Sequence, residues 1–148
     1  MICVSIQGRD MAGVRAALAG GLEMAEIRLD RCCLSPGDIE TLFSETDIPL
    51  VATCRVAECG GDEEICAQRL EAAMRAGAQY VDVEIEASVS LAERIGASAQ
   101  DCGTTYIRSF HDFEGTPSAA ELMDITGRCF NEGADIAKIV TTAARGYS

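Results

Sequence analysis

The sequence predicts an α/β domain in which parallel strands wall a (β/α) barrel of the TIM type. Two observations carry this. Short β-rich runs alternate strictly with helical patterns along the chain, which reads as consecutive βαβ units. The strand runs are also apolar on one parity and ionisable on the other. An open doubly wound sheet is covered by helices on both faces, so its central strands should be apolar on both. One apolar face meeting helices and one ionisable face meeting its own kind describe the wall and lumen of a barrel.

The strands are expected at Ile2–Gln7, Met24–Asp30, Leu50–Arg55, Tyr80–Glu86, Thr105–His111 and Asp135–Thr141, and the helices at Met11–Ala19, Gly37–Ser44, Glu63–Ala76, Ser90–Gln100 and Ser118–Asn131. Side chains of a strand alternate faces with period two. That places Ile2, Val4 and Ile6 on the helix-facing side of the first strand, and Ala25, Ile27 and Leu29 on that of the second. Val81, Val83 and Ile85 do the same in the fourth, and Ala137 and Ile139 in the sixth. Ser35-Pro36 opens the second helix and Thr116-Pro117-Ser118 the fifth, while Gly77, Gly103 and Gly133 close three of the helices. No linker, sequence repeat or low-complexity stretch interrupts the series, so residues 1–148 are expected to form a single barrel domain.

The opposite parity gathers Cys3, Ser5 and Gln7, then Glu26 and Arg28, Thr53 and Arg55, Asp82 and Glu84, Ser109 and His111, and finally Lys138; Val51 is the exception. These residues are expected to converge near the C-terminal ends of the strands, where barrels of this type keep their active sites. They form either a purely structural network or a working site. Lys138 is the lone lysine, the other eleven basic residues being arginine, and His111 is the lone histidine. A lysine between Ala137 and Ile139 is either a strand-edge charge reaching solvent or an amine that loses its proton when desolvated and attacks a carbonyl. A histidine nearby can move protons at neutral pH. Arginines in the same cavity suit a carboxylate. The inventory fits a small hydroxylated keto acid handled by an imine-forming lyase or class I aldolase.

Composition narrows the partners. The chain carries 24 acidic against 12 basic residues, a net charge of −12, with no basic stripe, which argues against nucleic acid or an anionic membrane surface. The start, Met1-Ile2-Cys3-Val4-Ser5-Ile6-Gln7, has neither a basic segment nor an apolar run of signal-peptide or membrane-spanning length. Eight cysteines occur without a CxxC pair, and one histidine is too few for the usual zinc spacings. They are expected to be reduced core and helix residues of a cytoplasmic protein, with no metal site.

A family resemblance then becomes specific. Glu26-Ile27-Arg28-Leu29-Asp30 resembles the E-x-R-x-D motif of type I 3-dehydroquinate dehydratases. Ala52-Thr53-Cys54-Arg55 with Gly60-Gly61, Val81-Asp82-Val83-Glu84, Ser109-Phe110-His111-Asp112-Phe113 with Thr116-Pro117, and Ala137-Lys138-Ile139 are similar to further segments of that family, in the same order. The resemblance implies dehydration of 3-dehydroquinate to 3-dehydroshikimate in the shikimate pathway, which leads to aromatic amino acids, without metal or organic cofactor. It implies that Lys138 forms an imine with the substrate ketone. His111 would act as general base at the adjacent carbon and as acid for the departing hydroxyl. Glu26, Arg28 and Arg55 would bind substrate, with Asp82, Glu84, Glu58 and Ser109 in support.

Two departures from the family pattern stand out. Cys59 occupies the place where members usually carry a glutamate that positions the histidine, and Glu58 precedes it. Either Glu58 substitutes through a shifted loop or the histidine is oriented less well. The strand series also ends at six, with Arg145-Gly146-Tyr147-Ser148 finishing on a residue suited to an N-cap, whereas a (β/α)₈ barrel runs to about 200 residues or more. The expectation is a barrel truncated after its sixth strand. The alternatives are another imine-forming aldolase or lyase, or an impaired fragment completed at its open edge by a homodimer or a complementing chain.

Overall fold

In a computed structural model the protein is described over residues 1–143; the N-cap expected at Ser148 lies outside them. Six strands and five helices alternate: β1 (Cys3–Ile6), α1 (Met11–Leu18), β2 (Met24–Arg28), α2 (Pro36–Glu45), β3 (Leu50–Thr53), α3 (Glu63–Ala76), β4 (Tyr80–Glu84), α4 (Val89–Cys102), β5 (Thr105–His111), α5 (Ala119–Asn131) and β6 (Ile136–Val140). A short 3₁₀ turn, Val56–Glu58, follows β3. Every expected element is present. The main differences are strand ends shorter than expected: Arg55 caps the 3₁₀ turn instead of extending β3, and Glu86 falls in the turn after β4. At the C-terminal ends the backbone leaves the ladder to form loops, which a hydrophobic pattern does not register.

All neighbouring strands are parallel, and their order is β1-β2-β3-β4-β5-β6 without reversal. A doubly wound sheet reverses its order at a switch point. Here each crossover lands beside the previous strand, so the helices gather on one side and the sheet curls into an open half-barrel. β1 and β6 are its two edges among the described residues.

Between sheet and helices lies an aliphatic core. Ala25, Ile27, Ala52, Val81 and Val83 are buried there against Ile39, Leu42 and Phe43 of α2, Leu70 and Ala73 of α3, and Leu91 and Ile95 of α4. Side-chain caps hold the helix starts. Asp10, Ser35, Asp62, Ser88 and Ser118 each accept a backbone N–H of the first turn, and Ser35 and Asp38 form a reciprocal capping box. Arg108 departs from the pattern. It sits on the helix-facing parity of β5, 1% exposed, and donates to the Val83 and Glu84 carbonyls and to the Tyr106 hydroxyl while pairing with Glu132 at 3.4 Å. The many donors of its guanidinium are what let a charge lie in this layer.

Two helix-ending glycines differ in what surrounds them. Gly77 has φ +125°, and a Cβ there would meet the Phe43 carbonyl at 3.1 Å, whereas Gly103, at φ +70°, faces open space. Gly77→Ala is therefore expected to cost about 2–3 kcal/mol and Gly103→Ala about 1 kcal/mol. Urea midpoints measure both, and equal losses would refute the steric contribution at Gly77.

Candidate active site

Register brings the ionisable parity together. Ser5 lies opposite Glu26, Arg28 opposite Thr53, Thr53 opposite Asp82, Glu84 opposite Ser109, and Ser109 opposite Lys138. His111 is one step further along β5 on the same face, opposite Val140. A chain of hydrogen bonds and ion pairs results that crosses all six strands. Ser5 Oγ and Thr53 Oγ1 donate to Glu26 at 2.9 and 2.7 Å. Lys138 Nζ lies 3.6 Å from Glu26 Oε2 and 3.5 Å from Asp82 Oδ2. Asp82 Oδ1 accepts from Ser109 Oγ at 2.6 Å and from Arg55 Nη1 at 2.9 Å, while Arg55 Nη2 reaches Ser109 Oγ at 3.4 Å. No buried side-chain polar atom among the described residues lacks a partner.

Around this chain opens a cavity of about 250 Å³ lined by Glu26, Arg28, Arg31, Arg55, Ala57, Glu58, Glu84, His111 and Phe113. Arg28 is fixed by two bonds to Asp30, at 3.1 and 2.7 Å, so its guanidinium is set in advance. His111 stacks on Phe113 with ring centroids 5.7 Å apart. Burial, followed by the nearby Arg55 cation, pushes the His111 pKa below its ordinary value, with Asp82 opposing. Burial also raises the Glu84 carboxyl against the pull of Arg55, which lies 3.9 Å away.

The Lys138 side chain is 38% exposed, because β6 is an edge strand among the described residues and lacks a neighbour on one side. Glu58 does not orient His111 through a hydrogen bond. Its carboxylate is taken by Arg31 and also lies 3.7 Å from Arg28 Nη2, and the hydrogen bond from Arg31 draws its pKa below the ordinary value. Arg31 is the charged lining residue that strand parity does not predict. Its one signal was its place directly after the Glu26–Asp30 motif.

The match to known proteins is decisive here: the family model described as type I 3-dehydroquinase matches residues 2–146. The chain belongs to that family. It is 33% identical over 148 residues to the 3-dehydroquinate dehydratase of Desulfotalea psychrophila, covering 96% of this chain and 65% of that protein. It is 35% identical over 138 residues to the one from Methanosarcina barkeri, covering 84% of this chain and 56% of that protein. The chain thus spans between 56% and 65% of the length of these relatives. Among solved structures, the 3-dehydroquinate dehydratase of Aquifex aeolicus superposes with a TM-score of 0.78 at 22% identity, covering 97% of this chain and 68% of that one. The type I enzyme from Clostridium difficile gives 0.77 at 23% identity, covering 93% and 60%. These likenesses establish the incomplete barrel.

Asp82→Asn removes the buried charge between Arg55 and Lys138 and is expected to cost about 3–5 kcal/mol. Ser109→Ala, which removes one neutral donor, is expected to cost about 1 kcal/mol. Comparable losses in urea denaturation would contradict the hub role assigned to Asp82.

Proposed function

We propose that this chain forms the Schiff-base side of a 3-dehydroquinate dehydratase, a lyase of the shikimate pathway that works in the cytoplasm. The observation that carries the reading is the meeting of the lone lysine with two carboxylates, Asp82 at 3.5 Å and Glu26 at 3.6 Å, in a lumen that also holds the lone histidine. Family membership supports the substrate. The Lys138 amine attacks the ketone of 3-dehydroquinate and water leaves to give an iminium, which acts as an electron sink. His111 takes the proton from the adjacent carbon, then returns a proton to the departing hydroxyl and serves in hydrolysis of the imine. Glu26, Arg28 and Arg55 hold substrate hydroxyls and neighbouring groups, with Asp82, Glu84 and Ser109 keeping them in place. These residues carry out the chemistry without a cofactor. No helix among the described residues is long and apolar enough to cross a membrane.

The exposure of Lys138 supports one addition. Strands pairing with β1 and β6 close the lumen around the amine, whether they come from the same polypeptide, a second copy of this chain or a complementing chain. Size-exclusion chromatography with a turnover assay tests it. Full activity from a monomer of these 148 residues would defeat it.

Borohydride added with 3-dehydroquinate is expected to leave a reduced adduct on Lys138, detected by peptide mass spectrometry, and Lys138→Arg abolishes it. Absence of the adduct from a folded, closed barrel would sink the imine. The neutral imidazole is the base, present above the folded-state pKa of His111 and lost as pH falls through it. With that pKa lowered, the acid limb of turnover is expected below pH ~6.5. His111→Asn should remove the limb and slow turnover by about 10²–10⁴-fold.

A further inference from the structure

Outside the lumen, on the helix side of β3, three cysteines separated in sequence by four and six residues come together. Cys54 follows β3 on the apolar parity of Leu50 and Ala52, Cys66 lies on the buried face of α3, and Cys59 sits in the loop between them. Their sulfurs all lie within 4.8 Å of one another, and the Cys54 and Cys66 sulfurs are 3.0 Å apart. Cys54 and Cys66 are buried and Cys59 is half-buried, so the cluster has one side open to entry. No spacing rule for metal-binding cysteines flags this set, because the three are assembled by a strand, a loop and a helix and not by a knuckle.

We propose that Cys54, Cys59 and Cys66 form a trithiolate site for a thiophilic d¹⁰ metal ion, zinc(II) or copper(I). Thiolate ligands select these ions over harder cations. An ion bound at about 2.3 Å from three sulfurs needs them about 3.8–4.0 Å apart, within about 1 Å of the separations present. As the three sulfur–metal bonds form, the thiol protons leave to solvent. The Arg69 guanidinium, fixed by donation to the Leu29 carbonyl at 2.8 Å, acts electrostatically on Cys59 and Cys66 and offsets part of the negative charge. Copper(I) is satisfied by three thiolates, while zinc(II) takes a water on the open side. The ion clips the start of α3 to the end of β3. Arg55 adjoins Cys54 and Glu58 adjoins Cys59, so the clip also steadies the loop that carries Arg55 into the lumen.

The test loads the reduced full chain with zinc(II) or with copper(I) in separate experiments and reads native mass spectrometry, thiol titration and thermal melting. Expected are one equivalent of metal, protection of the half-buried Cys59 thiol in the folded protein only when metal is present, and a melting temperature that rises with metal concentration. Cys59→Ser, at the half-buried position where the fold tolerates the change, should weaken binding by at least about tenfold, while Cys33→Ser leaves it unchanged. Failure to hold either ion would overturn the proposal, as would binding indifferent to Cys59→Ser. Loss of two thiols to a Cys54–Cys66 disulfide in place of metal retention would overturn it too.

Discussion

The site depends on a single carboxylate that water does not reach. Asp82 is fully buried, and its two oxygens point to different elements: Oδ1 gathers Arg55 and Ser109, and Oδ2 faces Lys138. A buried carboxylate is tolerable when cations and hydroxyls surround it, and it in turn helps to hold those cations. The arrangement therefore couples the end of β3, the middle of β5 and the edge strand β6 through one side chain of β4. Glu26 repeats the device on the other side of Lys138, with Ser5 and Thr53 as its donors.

How much of this was legible in the sequence depended on periodicity. The alternation of Ile27 with Glu26 and Arg28, and of Val81 and Val83 with Asp82 and Glu84, located both faces of the wall before any register was known. Parity could not tell which polar residues touch. It could not show that Arg28 is committed to Asp30, since both belong to one short motif and the bond is made where the strand has already ended. Nor could it choose between the two alternatives for Glu58, because its partner Arg31 comes from a different loop. Arg108 escaped notice for the opposite reason. Two of its partners on the helix side are backbone carbonyls, which no side-chain pattern reveals.

The cysteines illustrate the same limit from another direction. Read one by one, they are small hydrophobes suited to strand and helix interiors, and Cys129 and Cys32 behave in that way. Only the crossover from β3 into α3 turns Cys54, Cys59 and Cys66 into neighbours. Spacing rules describe ligands carried on a single turn, whereas a βα connection gathers residues from both its ends.

The unreversed strand order has a consequence for how such a wall comes into being. Each pairing joins residues a short distance apart along the chain, from 21 residues between Val4 and Ala25 to 29 between Ala52 and Val81. Loop-closure entropy grows only slowly over such spans, and every βα unit finds its docking surface on the unit just before it. The half-barrel can thus grow by accretion in the order of synthesis, each unit templating the next. The long-range closure of a full barrel is a final, separable step laid on a wall that already stands.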